Sequence, residues 1–120
     1  MHRIALIAAA LFASAPAIQA ADAGDAAMRG MQHYRIFCAN CHGAQADGNG
    51  PTAKLLKIAP TDLTVIAKVN GGQFDTEKVF KALDRRHLVG EGAKMPVFSE
   101  NLEIRTALDI VEFLKTIQQR

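Results

Sequence analysis

The sequence predicts a single all-α domain, and three observations support this prediction. Apolar residues recur at three- and four-residue intervals in several segments, which is the periodicity of an amphipathic helix. No segment shows the strict alternation of apolar and polar residues that is typical of a half-buried strand. Glycine and proline are concentrated between the helical segments, which indicates long connecting loops.

The first twenty residues have the layout of a secretory signal peptide. Arg3 supplies a positive charge, residues 4–15 are apolar, and small residues lead to Ala20. An uncleaved membrane anchor is the alternative, but the apolar run is well short of the roughly 20 residues that span a bilayer. We therefore predict a signal peptide over 1–20, a mature domain over 21–120 with no transmembrane segment, and export to the periplasm.

The composition limits the class of protein. About one hundred residues remain after the predicted cleavage, which is enough for one small domain. The chain has 14 basic and 12 acidic side chains, so it lacks the strong basic footprint of a nucleic-acid binder. It has six Phe, one Tyr and no Trp. A small domain with so few aromatic residues often needs a covalent link or a cofactor for its stability.

The first helix of the domain is predicted over residues 25–38. Met28 and Met31 contribute to its helical spacing, no proline interrupts it, and we expect both methionines to pack in the core. Residues 43–60 follow, and their glycines and prolines predict a loop. A loop this long in a small domain is usually functional or wrapped around a ligand.

Three further helices are predicted after this loop. Thr61 or Asp62 can cap a short helix that ends at residues 70–72, and a second helix starts at Asp75. The last helix is predicted over residues 103–118, and its apolar stripe indicates a buried face. The residues of this stripe are Ile104, Ala107, Leu108, Val111, Leu114 and Ile117, with Ile110 and Phe113 at its edge.

Residues 38–42, CANCH, contain both cysteines of the chain and a histidine directly after the second one. A disulfide across so short a loop adds little stability, and a dithiol redox pair expects a βαβ context. A structural zinc site needs four ligands, and His33 and His87 fall at no zinc-finger spacing. Cys-x-x-Cys-His is instead the attachment signature of c-type haem.

The chemistry of haem attachment agrees with this spacing. Two thiols three residues apart can form thioether bonds to the two vinyl groups on one side of a porphyrin. The next residue then lies beneath the iron, where its imidazole serves as an axial ligand. We therefore predict one covalently attached haem c, with its iron, held by Cys38, Cys41 and His42.

The second axial ligand decides what the iron does. Methionine raises the reduction potential and suits electron transfer. Met95 lies in a loop that contains glycine and precedes the last helix, and Pro96 stiffens the chain directly after it. We predict Met95 as this ligand. The alternatives are a buried apolar role for Met95, and ligation by His33 or His87.

Residues 25–118 resemble a small soluble monohaem cytochrome c of class I, whose haem is attached near the N-terminus. The resemblance implies an all-α cytochrome c-like fold in which the N- and C-terminal helices cross, with short helices and long loops around one haem. Gly30 would allow the close approach that this crossing needs. The matching positions are Gly30, Tyr34 and Cys38; residues 38–43; Gly50-Pro51; Met95-Pro96; and Phe98, Leu102, Ile110 and Phe113.

The resemblance also implies that the Pro51 carbonyl accepts a hydrogen bond from the His42 imidazole. This bond would fix the tautomer of the ring and raise its basicity, and an ordinary turn is the alternative. The chain departs from the family pattern at Glu103, where Ser or Thr commonly starts the last helix. It also has no Trp to donate to a haem propionate. The cationic candidates for that role are Lys57, Arg85 and Arg86.

We predict a periplasmic one-electron carrier that is not an enzyme, because the sequence shows no convincing acid–base pair or nucleophile. The expected partners are periplasmic redox proteins, such as an oxidoreductase or a terminal oxidase or reductase. The alternatives are a haem c subunit of a larger redox enzyme complex, a haem gas sensor or peroxidase with an open sixth site, and a zinc module. The lysines that offer acidic partners a weak ring, or form an ordinary solvated surface, are Lys54, Lys57, Lys68, Lys78, Lys81 and Lys94.

Overall fold

A computed structural model describes residues 17–83, Met95 and residues 102–119. Within these residues the chain forms five α-helices and two short 3₁₀ turns, and it has no β-strand. The all-α prediction is therefore confirmed. Most of the predicted signal peptide lies outside the described residues, so the signal peptide stays a prediction. None of the helices described is long and apolar enough to cross a membrane.

The first helix, α1, spans Ala17–Phe37 and so begins before the predicted start at residue 25. Its first half is rich in alanine and contains no proline. Because alanine has the highest helix propensity of all residues, these positions extend the helix without adding an apolar stripe. The predicted cleavage after Ala20 falls within α1 and stays a prediction.

The last helix, α5, spans Ile104–Thr116 and packs against α1 more extensively than any other pair of elements does. The two helices cross at Gly30, which lies against the α5 backbone. A Cβ atom at this position would overlap the backbone O and C atoms of Asp109 and would lie 2.9 Å from the Phe113 Cβ atom. The predicted crossing of the terminal helices is confirmed.

The buried face of α5 is rotated from the predicted one. Ile104 and Leu108, which were predicted to be part of it, are 50% and 42% exposed. Ile110, predicted only as an edge residue, is fully buried. The close contact at Gly30 fixes which side of α5 faces α1, and helical spacing alone does not contain that information. The buried apolar residues of α5 are Ala107, Ile110, Val111 and Leu114.

An ion pair between an exposed arginine and a buried carboxylate joins the two crossing helices. Asp109 on α5 is only 3% exposed. The Arg29 side chain donates its Nε–H to Oδ2 of this carboxylate at 2.8 Å and its Nη2–H to Oδ1 at 3.1 Å. The sequence carries no local sign of this pair, because its two members are 80 positions apart and each resembles an ordinary surface charge.

We expect the two members of this pair to respond differently to substitution. Arg29→Met leaves the buried carboxylate without its cation, whereas Asp109→Asn leaves Arg29, which is 44% exposed, able to turn toward water. Arg29→Met should therefore lower the urea midpoint of unfolding more than Asp109→Asn does. Equal or reversed shifts of the midpoint would show that the carboxylate is not stabilised by this pairing.

Four short elements lie between residues 53 and 83. The predicted cap at Asp62 and the predicted helix start at Asp75 are both present. Asp62 Oδ1 accepts hydrogen bonds from the Thr64 backbone N–H at 2.8 Å and from its hydroxyl at 2.6 Å. Asp75 Oδ1 accepts from the Lys78 N–H at 2.9 Å. The elements are a 3₁₀ turn at Ala53–Leu55, a second at Leu63–Val65 that continues into α3 at Ile66–Val69, and α4 at Thr76–Leu83.

Two glutamines after α5 hold the segment that contains the second 3₁₀ turn, and we call Gln118 and Gln119 the glutamine clamp. Gln118 Nε2 donates to the Leu63 carbonyl at 2.7 Å, and Gln118 Oε1 accepts from the Ala67 N–H at 2.9 Å. The Gln119 N–H donates to the Thr64 carbonyl at 2.7 Å. The clamp therefore fixes this segment against the end of α5.

Candidate haem site

A cavity of about 630 Å³ lies between α1, α4, α5 and the segment that the glutamine clamp holds. This volume is within the range of sites that bind small molecules and cofactors. Cys38, Cys41, His42 and Met95 all line it, so four of the five predicted site residues meet at one place. Much of the remaining wall is apolar and includes Leu56, Ile58, Val65, Ile66, Val79 and Leu83.

One turn of helix presents the two thiols and the imidazole. α2 spans Ala39–His42, and the His42 N–H donates to the Cys38 carbonyl at 2.9 Å. Residues spaced by three and four positions lie on the same side of such a turn. Cys38, Cys41 and His42 have this spacing, and both thiols are free of a disulfide. The motif therefore faces the cavity as one unit.

The environment of Cys38 keeps its sulfur protonated at neutral pH. Burial, with a smaller contribution from the neighbouring Cys41, raises the pKa of the Cys38 thiol to about 11. Because the thiolate is the nucleophile in disulfide exchange, a thiol with so high a pKa exchanges slowly. Cys38 is therefore held in the thiol form next to the cavity.

His42 is buried, and its orientation is fixed by a backbone carbonyl. His42 Nδ1 lies 2.9 Å from the Thr61 carbonyl O. Since a carbonyl oxygen can only accept, Nδ1 is the donor, and in the neutral imidazole this tautomer leaves Nε2 with the lone pair that a metal needs. Residues in the second layer around a metal site commonly orient the ligating histidine in this way.

The acceptor is Thr61, so the prediction that Pro51 plays this role is wrong. Pro51 is exposed and does not line the cavity. Its neighbours Gly50 and Thr52 donate their backbone N–H groups to carbonyls of α2. The sequence held no local signal for Thr61, because the acceptor depends on which part of the long loop lies next to the imidazole.

The loop after α2 satisfies the carbonyls that the end of the helix leaves without partners. Such carbonyls need donors from outside the helix, and three consecutive ones receive them here. Pro51, which has no N–H, lies between two of the donors, Gly50 and Thr52. The bonds run from Gly48 N to His42 O at 2.8 Å, from Gly50 N to Cys41 O at 3.0 Å, and from Thr52 N to Asn40 O at 3.1 Å.

Tyr34 connects α1 to the same loop. Its side chain is only 1% exposed, and its hydroxyl donates to the Gly43 carbonyl at 2.6 Å. Its ring packs against Phe113 of α5, with 5.3 Å between the ring centroids, and it also lines the cavity. The resemblance identified an aromatic residue here but not the function of its hydroxyl, which is to hold the residue that follows His42.

The cavity opens at one rim. Leu56, Ile58 and Val69 line the cavity and are also substantially exposed, Val69 by 79%. Among the described residues, Lys78 is the lysine that lines the cavity, and the predicted propionate partner Lys57 does not. The other two predicted partners, Arg85 and Arg86, lie outside the described residues.

Met95 lines the cavity and is half-buried. Pro96 and the alternative ligand His87 lie outside the described residues. His33 is not among the residues that line the cavity, and its ring stacks on Phe37 with 6.5 Å between the centroids. Of the methionines of α1, Met28 is exposed, so the prediction that it fills the core is wrong.

These residues fit a covalently attached haem. The cavity is apolar, two thiols lie at one edge, and an imidazole with its Nε2 lone pair available is part of the wall. Residues 27–118 match the family model described as Cytochrome c. No curated protein and no solved structure was found to match the chain. The chain therefore belongs to the cytochrome c family, whose members carry electrons on a covalently attached haem c with iron.

Proposed function

We propose that this chain is a periplasmic one-electron carrier that binds one haem c through Cys38 and Cys41, with His42 and Met95 as axial ligands. The observation that carries the proposal is that these four side chains line one cavity. A bound haem c would supply the exchange of one electron between ferrous and ferric iron. The side chains of this protein set the reduction potential and the access of partners to the site, as follows.

Two features of the site act on the reduction potential in opposite directions. The Thr61 carbonyl makes the His42 imidazole a stronger base, which stabilises the ferric state. The apolar wall and the Met95 thioether disfavour the additional positive charge of the ferric state. We expect the second influence to be the larger one, since methionine ligation raises the potential of haem iron.

The exposed rim supports electron exchange with another protein. Leu56, Ile58 and Val69 reach both the cavity and the solvent, so a partner would approach the cofactor edge there. Lys78 borders the same cavity and favours partners with acidic surfaces. The proposed partners are periplasmic redox proteins, such as an oxidoreductase or a terminal oxidase or reductase.

The periplasmic location is supported by the first twenty residues, with their positive start, apolar run and small residues before Ala20. Export through such a segment would deliver a mature chain that begins at residue 21. The intact mass of the exported protein reports removal of the segment and addition of the haem together.

Met95→Ala tests the ligand assignment. The ferric protein should lose the weak charge-transfer band in the far red that methionine ligation gives. Its reduction potential should fall by more than about 59 mV, a factor of ten in the one-electron equilibrium. Met28→Ala is the matched control, because Met28 is exposed on α1 and does not line the cavity.

An unchanged spectrum for Met95→Ala would show that another group, or none, is the sixth ligand. Rapid binding of carbon monoxide by the wild-type ferrous protein at neutral pH would favour the sensor or peroxidase alternative. Purification from its own cells in a stable complex would favour the alternative of a subunit in a larger redox enzyme. A colourless exported protein would contradict the proposal altogether.

A further inference from the structure

We propose that Thr52 is a positioning residue for Cys41 and that its hydroxyl orients the Cys41 thiol for thioether formation. The inference rests on the proposed function, because it concerns the second bond by which this chain would hold haem. It adds a residue that neither the attachment motif nor the axial ligands include.

The contact between the two side chains has a definite direction. Cys41 Sγ lies 3.4 Å from Thr52 Oγ1. The same Oγ1 donates to the Asn40 carbonyl O at 2.9 Å. A hydroxyl has one proton and two lone pairs, so once that proton is donated the oxygen can only accept. The Cys41 S–H must therefore be the donor to Thr52.

The position of Thr52 does not depend on its hydroxyl. Its backbone N–H donates to the Asn40 carbonyl at 3.1 Å, and the Gly50 N–H donates to the Cys41 carbonyl at 3.0 Å. Gly50 also packs so closely on α2 that a Cβ atom there would lie 2.6 Å from the Cys41 carbonyl carbon. Because these contacts are made by the backbone, the loop should stay in place when the hydroxyl is removed.

The two thiols of the motif differ in the hydrogen bonding of their sulfur atoms. Cys38 packs against the apolar core formed by residues such as Tyr34 and Ile110, and no hydrogen bond to its sulfur is found in the part of the chain that the structure describes. Among the described residues, Cys41 is the cysteine whose sulfur contacts a polar side chain. An effect of Thr52 on attachment should therefore be specific to Cys41.

Thioether formation is an addition reaction, and a held thiol favours it. The S–H bond of Cys41 and the π bond of a vinyl group break. A C–S bond forms at one vinyl carbon, and the hydrogen ends on the other. No electron is gained or lost overall, and no group leaves. The hydrogen bond to Thr52 restricts the thiol to one rotamer and so reduces the orientational freedom that the reaction must overcome.

The experiment compares Thr52→Val with Thr52→Ser in the full-length chain. Valine has the shape of threonine without the hydroxyl, and serine keeps the hydroxyl. Each apoprotein is mixed with ferrous iron protoporphyrin IX under dithionite, and the reaction is stopped at intervals with iodoacetamide. Peptide mass mapping then gives the unreacted fraction of Cys38 and of Cys41 separately.

We expect Thr52→Val to slow attachment at Cys41 about three- to tenfold, the effect of one lost hydrogen bond, while attachment at Cys38 keeps its wild-type rate. Thr52→Ser should stay within about twofold of wild type. The pyridine haemochrome band of the Val product should shift to longer wavelength, as expected for a haem with one thioether. Thr116→Val removes an unrelated hydroxyl–carbonyl bond, to Phe113 O, and should change neither rate.

Equal slowing at both cysteines would mean that the hydroxyl only supports the fold, and an unchanged Cys41 rate would mean that it has no role; either result overturns the inference. The ratio of the two rates is measured within one sample, so it remains informative even if Thr52→Val folds less well. Wild-type protein that attaches haem at neither cysteine would contradict the proposed function instead.

Discussion

Gly30→Ala should lower the free energy of unfolding by at least about 3 kcal/mol, the upper end of what overpacking usually costs. The new Cβ atom would overlap the backbone O and C atoms of Asp109 and press on the Phe113 Cβ atom. Backbone atoms of a packed helix cannot turn aside as a flexible side chain does, so α1 and α5 would have to separate. Their separation would loosen the whole wall of the haem site.

Gly24→Ala is the matched control for this prediction, because it makes the same chemical change in the same helix. A Cβ atom at position 24 would have no atom within 4 Å, leaving out its chain neighbours and the backbone of its own helix. Alanine should stabilise the helix there by up to about 1 kcal/mol. Urea unfolding followed by circular dichroism measures both variants. Similar small effects for the two would show that the helices do not cross at Gly30.

Tyr34→Phe should cost about 1–2 kcal/mol of stability. The variant keeps the ring that packs against Phe113 but removes the 2.6 Å hydrogen bond to the buried Gly43 carbonyl. Gly43 O still accepts the Ala46 N–H at 3.0 Å, which keeps the loss below that of a fully unsatisfied group. Urea unfolding at neutral pH measures the difference, and a stability equal to wild type would show that the hydroxyl bond is not formed.

Because its hydroxyl is buried, Tyr34 should also make the free energy of unfolding fall at alkaline pH. Burial, and to a lesser extent Cys38 and Asp47, raises the pKa of Tyr34. The folded chain then keeps a proton on Tyr34 that the unfolded chain loses near pH ~10. The contribution of this hydroxyl to the free energy of unfolding is therefore complete below that pH and is lost as the pH rises. Relative to Tyr34→Phe, wild type should lose up to about 1.4 kcal/mol per pH unit above that point.

The titration can be observed directly, because Tyr34 is the one tyrosine of the chain and there is no tryptophan. The phenolate absorbance of the folded protein should remain absent well above the pH at which the urea-unfolded protein develops it. Coincident titration curves for the two states would contradict the buried environment of Tyr34.

Features that depend on neighbouring residues were predictable from sequence. The CANCH motif, the carboxylate caps of Asp62 and Asp75, and the end of α3 at Asn70 are each encoded within a few residues. The close helix crossing was predictable from one glycine because the resemblance supplied its partner. These features account for most of the fold and for the thiols and imidazole of the site.

Features that depend on distant pairing were not predictable. The orientation of α5 follows from one contact with α1, and the burial of Asp109 follows from that orientation. The choice between Pro51 and Thr61 depends on which part of one long loop crosses the imidazole. The glutamine clamp joins positions about fifty residues apart, and polar residues near a chain end carry no local sign of such a role.

The crossing of α1 and α5 also sets an order of events during synthesis. A ribosome releases the two cysteines long before Ile110 and Leu114, the α5 residues that line the cavity. The nascent thiols therefore spend an interval without their covering helix, and an oxidant can join them into a disulfide during that time. The amount of coloured protein that a cell makes will depend on how well that interval is kept reducing, as well as on the stability of the finished fold.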